Sequence, residues 1–557
     1  MNILLTAINA KYIHSNLAVY SLRACAGEYR DAVELAEYTI NNQKDYILEE
    51  LYKRKPDVLC FSCYIWNIDY VTDIAREYKK LCPSVPIWVG GPEVSYEVEA
   101  FLRENPYIDG VMIGEGEDTF RELCGYYAHK RKLSDIAGIA FRKNSTGNST
   151  SVNNIGGNKA GEIVFTSPRP IKNMSEIPFC YDTLDDFSNR IIYYESSRGC
   201  PFSCSYCLSS VDKTLRFRDT EIVKKELKFF IDQKVPQIKF VDRTFNCNHA
   251  HAMELWRFIK ANDNGVTNFH FEISADLLNQ EELELISDMR PGLIQLEIGV
   301  QSTNDVTIKE IHRTMKLERL KEVVRLIQSG NNIHEHLDLI AGLPYEDYDS
   351  FGRSFDEIYE LKPNQLQLGF LKVLKGSYMF EHAAEYGIVY HDKPPYEVMS
   401  TKWLSFDDVI KIKRVEEMLE VYYNSGQFEI TMKLMECIFD SAFEFFQELG
   451  DFYEANGYFG MSHSRIRRCE ILLEFLALYL HGCDSDDMAS VGLSGNAGDR
   501  DNTDFDENAQ IYKMIQESLI FDLYYRENCK SRPVWATDIG SFKHMTHAYC
   551  KNGKLSH

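Results

Sequence analysis

The stretch Ser197-Arg198-Gly199-Cys200-Pro201-Phe202-Ser203-Cys204-Ser205-Tyr206-Cys207 decides how this chain is read. Its three cysteines follow a C-x3-C-x2-C spacing. Iron–sulfur clusters are held by cysteine thiolates and normally take four. Three thiolates this close hold three irons of a [4Fe–4S] cluster and leave the fourth open to a small molecule. The competing reading is a structural zinc site, which wants four ligands. No fourth cysteine or histidine lies nearby, since the next cysteine, Cys247, is 40 residues on.

Outward from this loop, residues 191–375 alternate apolar strands and amphipathic helices. Strands are expected at 191–197, 238–241, 269–274, 294–300, 336–341 and 366–371, with helices between them, as at 220–233 and 317–329. Six such units fit a partial (β/α)6 barrel. Barrel chemistry lies at the carboxyl ends of strands, and the cysteines directly follow the first one. Residues 1–142 alternate in the same way, with apolar runs at 3–8, 58–64, 87–90 and 111–114 and a weaker one at 33–40. Short continuous apolar strands separated by helices predict a buried parallel sheet. About five units make a flavodoxin-like (Rossmann-like) domain, whose ligands sit beyond the carboxyl ends of its strands. Residues 143–190 read as a linker, rich in Asn, Ser, Thr and Gly at 143–161. Residues 376–557 read as a helical C-terminal domain with a disordered acidic loop at about 484–508 and a frayed tail. The aromatics Phe439, Phe443, Phe445, Phe446, Tyr453, Tyr458 and Phe459 are expected in its core, and the domain is expected to cap the barrel mouth.

Bulk properties narrow the class. A chain of 557 residues needs two or three domains, and 44% hydrophobic content supplies their cores. The net charge of −23 argues against a broad grip on nucleic acid or an anionic membrane. No apolar run approaches the ~20 residues of a membrane span, and no signal-peptide pattern opens the chain. A cytoplasmic protein with reduced cysteines is expected. Cys60 and Cys63 form a C-x-x-C, but at the end of an apolar strand rather than a helix N-terminus. They read as buried packing, not a redox dithiol.

The cysteine spacing, with an aromatic before the third cysteine, resembles the radical S-adenosylmethionine (SAM) superfamily. There the open iron binds the amino and carboxylate groups of SAM and cleaves it reductively to a 5′-deoxyadenosyl radical. The segments Phe240-x-Asp242, Glu297-x-Gly299-x-Gln301-Ser302 and Asp338-Leu339-Ile340-x-Gly342-Leu343-Pro344 are similar to the branch holding oxygen-independent coproporphyrinogen oxidases and cobalamin-type radical SAM enzymes. The likeness covers roughly residues 191–375. It implies Cys200, Cys204 and Cys207 as cluster ligands and Tyr206, Asp242, Ser274, Glu297, Gln301 and Arg313 as SAM contacts. Asp242 would accept from the ammonium, Ser274 would serve the sulfonium side, and Glu297 and Gln301 the ribose or carboxylate. Arg313 would match the carboxylate bidentately. Gly342 would let the adenine approach the backbone.

A flavodoxin-like domain ahead of such a barrel resembles the cobalamin (B12)-binding radical SAM proteins. The matching pieces are Phe61-Ser62-Cys63-Tyr64, Val89-Gly90-Gly91-Pro92-Glu93 and Ile113-Gly114-Glu115-Gly116, all at strand ends. They imply Ser62, Tyr64, Gly90, Gly91, Pro92, Glu93, Gly114, Glu115 and Gly116 as cobalamin contacts. The chain departs from the B12 mutase pattern, having no D-x-H-x-x-G. The nearest histidine in the first loop is His14. The C-terminal region resembles an uncharacterised family-specific extension. Together these imply a radical SAM enzyme using a [4Fe–4S] cluster, SAM and cobalamin, and methylating an unactivated carbon. Cobalamin-assisted cyclisation, rearrangement or oxidation without methyl transfer is a rival expectation. Others are a first domain that serves as a substrate platform, and a non-enzymatic corrinoid- or redox-sensing protein. The implied partners are a flavodoxin or ferredoxin electron donor and a small-molecule, lipid or peptide substrate. No catalytic side chain is singled out.

Overall fold

The apolar runs of the N-terminal region pair as one sheet: β1 (Ile3–Asn9), β2 (Val33–Thr39), β3 (Val58–Ser62), β4 (Ile87–Gly90) and β5 (Gly110–Met112). A computed structural model describes residues 1–143, 161–211, 213–481, 502–526 and 533–536. These five strands are parallel, in the order β2-β1-β3-β4-β5, which is the flavodoxin-like order. Every residue of β1 and β3 is buried, which is why both read as unbroken apolar runs. Helix Ile68–Leu81 buries Val71, Ile74, Ala75 and Tyr78, one face of a 3.6-residue repeat. The sheet is larger than expected. β6 (Ile139–Arg142) joins β5 and β7 (Ile163–Phe165) joins β6, both antiparallel. Part of the expected 143–190 linker is therefore a strand, too short at three residues to carry a periodic signal. Residues 144–160 lie outside the described residues.

The barrel opens with β8 (Ile192–Tyr194). A short antiparallel pair, β9 (Ser197–Arg198) and β10 (Arg216–Phe217), brackets the cysteine loop. β11 (Gln237–Phe240), β12 (Asn268–Ile273), β13 (Ile294–Gln301), β14 (His334–Ala341) and β15 (Gln365–Phe370) follow, in the sheet order β15-β14-β13-β12-β11-β8. Strand pairs from β8 through β14 are parallel. Along β13 burial alternates residue by residue. Ile294, Leu296, Ile298 and Val300 are fully buried, while Gln295, Glu297, Gly299 and Gln301 alternate with them in the opposite phase.

The first domain continues the edge of this incomplete barrel. Ile191 N–H donates to Ile13 O at 2.8 Å, Ser15 Oγ donates to Ile191 O at 2.8 Å, and His14 bridges Ile191 in parallel. Arg190 fixes the join through Glu37 Oε2 at 2.7 Å and His14 O at 3.0 Å.

Residues 1–346 and 369–403 form one compact unit, and 347–368 with 404–557 a second. The expected boundary at 376 thus moves, because a hairpin of β16 (Val389–Tyr390) and β17 (Val398–Ser400) belongs to the first unit. Its Val398 fills the space beside Gly342, where a Cβ would lie 2.7 Å from Val398 Cγ1. The room read as adenine space is therefore taken by a side chain. In the second unit Phe443 meets Phe351 and Phe355, and Phe439, Phe445 and Phe446 are buried with them. Residues 484–501 lie outside the described residues. Residues 502–508 are not loop, since they open helix Asn502–Arg526. Among the described residues no helix is long and apolar enough to cross a membrane.

Candidate functional site

The cysteine loop starts with a backbone that only glycine fits. Gly199 has φ +86°, and a Cβ there would lie 2.5 Å from Thr214 O. The loop is then pinned at its centre: Ser205 N–H donates to Ile311 O and Met379 N–H to Ser205 O, both at 2.9 Å. Cys200 and Cys204 are 9% and 8% exposed, Cys207 is half-buried, and all three are free thiols. Burial pushes the Cys204 thiol up, and the Arg313 guanidinium, with Nη1 3.9 Å from the sulfur, pulls it back. Thr244 Oγ1 lies 3.7 Å from Cys200 Sγ. Three sheltered free thiols beside a cation are the donor set of a three-cysteine cluster. Cys247, remote in sequence from the loop, comes within electrostatic range of Cys200; burial first, and Cys200 second, push it up to about 11.

Beside the loop is a cavity of about 150 Å³ with mostly polar walls, among them Cys204, Thr244, Ser274, Glu297, Gln301 and Arg313. Strand pleating explains which residues reach it. Glu297, Gly299 and Gln301 share one phase of β13, and Glu272 and Ser274 share one phase at the end of β12. Gly299 is needed for space: a Cβ would lie 2.3 Å from Gln301 Nε2 and 3.5 Å from Arg313 Nη2. Gln301 sits at a strand irregularity with φ +77° and a buried Oε1 that has no hydrogen-bond partner among the described residues. Glu297 is held by Lys239 Nζ at 2.8 Å and His270 Nε2 at 3.0 Å. Burial pushes its carboxyl up, but those two partners outweigh it and hold it at about 2. Burial pushes Glu272 up to about 7.

Asp242 and Tyr206, expected as SAM contacts, do not line this cavity. Asp242 shares the outward phase of β11 with the buried Ile238 and Phe240. It accepts from Ser196 N–H at 2.8 Å, Ser196 Oγ at 2.6 Å and Ser197 Oγ at 2.5 Å, and it does not line the cavity. Tyr206 also lies off the cavity, its hydroxyl accepting from Arg313 Nη1 at 3.3 Å. Arg313 donates besides to Gly299 O, and Ser274 Oγ donates to Asp276 at 2.7 Å. Arg243, Thr244, Glu272, Thr314 and Asp338 line the cavity but were not singled out from the sequence. For Glu272 and Asp338, on β12 and β14, strand phase is the available signal.

A second cavity, of about 620 Å³, opens beyond the carboxyl ends of β1, β3, β4 and β5. Of the residues expected to contact cobalamin, Ser62, Tyr64, Gly90, Gly91, Pro92, Gly114, Glu115 and Gly116 line it. Glu93 does not; it meets Tyr396 and, at 3.8 Å, Lys375. The glycines serve different ends. At Gly91, φ +121°, a Cβ would lie 2.4 Å from Cys63 O, so the neighbouring strand end demands it. At Gly114, φ +74°, no described residue lies within 4 Å of a Cβ, so that glycine faces open space. Glu115 is bound by Arg216 and, at 3.5 Å, by Arg198. His14 is not at this cavity; its Nδ1 lies 2.6 Å from the Tyr193 hydroxyl, beside the barrel edge. Cys60 and Cys63 are fully buried, and burial raises both thiols. Cavity size, glycine-lined strand ends and tethered carboxylates fit a large organic group lying across the sheet edge.

Family models match all three regions of the chain. A B12 binding domain matches residues 3–124, the Radical SAM superfamily matches 194–358, and a protein family of unknown function, DUF4080, matches 384–556. The chain is thus a radical SAM protein with an N-terminal B12 binding domain and a C-terminal DUF4080 region. It is 27% identical over 360 residues to the cobalamin-dependent radical SAM methyltransferase TokK of Streptomyces tokunonensis, covering 60% of this chain and 49% of that one. It is 27% identical over 322 residues to a 2-(S-pantetheinyl)-carbapenam-3-carboxylate methyltransferase of Streptantibioticus cattleyicolor, covering 55% and 45%. The matches span about half the length of these relatives. The cobalamin-dependent SAM radical enzyme OxsB, solved with aqua-cobalamin and SAM, shares the fold with a TM-score of 0.59 at 15% identity, over 99% of this chain and 84% of that one.

Proposed function

We propose that this protein is a cobalamin-dependent radical SAM methyltransferase acting on an unactivated carbon. The observation that carries the reading is the pairing of two sites in one compact unit: a three-thiol loop at a polar cavity, and a larger glycine-lined cavity at the first sheet's carboxyl edge. When bound, the cluster would supply the electron that cleaves SAM, and the corrinoid the methyl group. The residues of the chain do the rest. Cys200, Cys204 and Cys207 would hold the metal, with Arg313 favouring the Cys204 thiolate. Ser274, Glu297 and Gln301 would orient SAM; Glu297 is kept ionised by Lys239 and His270, and so is an acceptor at neutral pH. Ser62, Tyr64, Gly90, Gly91, Pro92, Gly114, Glu115 and Gly116 would bed the corrinoid and shield it from water. Methyl transfer is supported by the two methyltransferase relatives. A flavodoxin or ferredoxin would reduce the cluster.

The test is anaerobic reconstitution with iron, sulfide, hydroxocobalamin and SAM. Stoichiometric iron, corrinoid absorbance retained through gel filtration and formation of 5′-deoxyadenosine are expected. S-adenosylhomocysteine beside 5′-deoxyadenosine marks methyl transfer. Protein without corrinoid or iron ends this reading.

A further inference from the structure

The guanidinium groups around the two cavities each have partners among the described residues, with one exception. Arg198 pairs with Glu195 at 2.9 Å and with Glu117, Arg216 with Glu115, and Arg218 with Glu226 at 2.6 Å. Arg313 donates to Tyr206 and Gly299 O. The Arg243 carbonyl accepts from Thr244 Oγ1 at 2.8 Å, but its guanidinium makes no hydrogen bond or ion pair with any described residue, and among the described residues Arg243 alone lines both cavities. It follows the buried Asp242 at the end of β11, in the same strand phase as Lys239 and Val241. Its neighbour Thr244 touches Cys200.

The charges facing it do not cancel it. On the smaller cavity, Glu297 is held by Lys239 and His270, Asp338 has His336 Nε2 at 3.0 Å, and Glu272 titrates near neutrality because it is buried. On the larger one, Glu115, Glu117, Glu195 and Glu226 are held by Arg198, Arg216 and Arg218. Tyr64 faces it as an uncharged phenol, burial pushing its pKa up to about 12. An accessible guanidinium with five unused donors, surrounded by neutralised carboxylates, is a receptor for a planar or tetrahedral oxyanion.

We propose that Arg243 binds an oxyanion of the substrate, a carboxylate, phosphate or phosphonate, at the junction of the two cavities. The substrate is then a polar, anionic molecule rather than a neutral lipid. This rests on the proposed function, under which the junction is where the acceptor carbon meets both cofactors. SAM's carboxylate and the corrinoid's phosphate carry the same chemistry, so the test separates them from a substrate group.

The holoprotein, loaded anaerobically with cluster, hydroxocobalamin and SAM, is titrated calorimetrically with methylphosphonate and, as a neutral control, N-methylacetamide. Wild type is expected to bind the anion saturably and to ignore the amide. Arg243→Gln should weaken the anion at least about tenfold, or 1.4 kcal/mol. Arg243→Lys should fall between them, keeping charge but losing the fork, and it stands in for the glutamine variant should that variant lose iron. SAM affinity and corrinoid retention should stay within about twofold of wild type in both variants. Equal anion affinity in wild type and variants, or no saturable binding by wild type, overturns the proposal. So does methylphosphonate that competes with SAM while Arg243→Gln weakens SAM, or corrinoid loss in both variants, since either gives Arg243 to a cofactor. Wild type that keeps corrinoid and cleaves SAM but ignores the anion sinks this assignment alone. Wild type that does neither sinks the proposed function.

Discussion

The two sheets of the first unit bury themselves differently. In β1 and β3 every side chain is buried, so the strands carry no chemistry and function is left to their ends, at Ser62, Gly90, Gly91 and Gly114. In the barrel, ionisable residues are interleaved with apolar ones along β11 to β14, and Lys239, His270, Glu272, Glu297, His336 and Asp338 all come from strand interiors or ends. A sheet covered on both faces keeps its ligands outside. A barrel with a polar lumen builds the site into its pleat, so a shift of one position separates a site residue from a packing residue.

The largest effect on this contrast should come from the loop that joins barrel chemistry to metal. Replacing Cys200, Cys204 or Cys207 by alanine should remove the iron and lower 5′-deoxyadenosine formation by about 10³-fold or more, since three ligands act as one unit. Normal iron and turnover in these variants would break the reading.

Next come the glycines of the first sheet. Gly91→Ala should cost about 3 kcal/mol and lower the thermal midpoint, because the methyl meets Cys63 O and the φ is unfavourable. Gly114→Ala should cost only about 1 kcal/mol, from φ alone, yet weaken corrinoid retention, because its Cβ points into open space. Equal stability losses would erase the distinction between a packing glycine and a ligand-facing one.

Asp242 sharpens the contrast within the barrel. Burial raises its folded pKa to about 7 from 3.8, against hydrogen bonds from Ser196 and Ser197. The folded state therefore binds the extra proton between those values. The stability it contributes is full below pH 3.8 and is lost as pH rises through about 7, on the order of 2–4 kcal/mol. Asp242→Asn should flatten that slope in denaturant titrations at pH 4–8 and leave SAM affinity unchanged. A large loss of SAM affinity would return Asp242 to the cavity. The smallest effect is expected at Glu93: Glu93→Gln should change corrinoid retention less than about twofold, since the side chain is turned to Tyr396 and Lys375.

Much of this is legible in the sequence alone. The cysteine spacing located the cluster loop, and continuous apolar runs located β1 to β5. Eight of the nine expected corrinoid contacts line the larger cavity, because strand ends in a doubly wound sheet converge there. What escaped was orientation. Asp242 and Arg243 are adjacent, and the sequence favoured the carboxylate on chemical grounds, while the pleat buried it and brought its neighbour to the cavity. β7 and the hairpin at 389–400 were too short to show a period, and Gly342 answers to Val398, a contact between segments 56 residues apart.

The join between Tyr12–Ser15 and Ile191 has a practical consequence. An edge strand with unpaired backbone invites pairing with other chains, and here the first domain covers it with its own main chain and the Arg190–Glu37 clamp. Cutting the gene between the two domains would expose that seam, so the barrel expressed alone should aggregate, while the intact chain stays monodisperse.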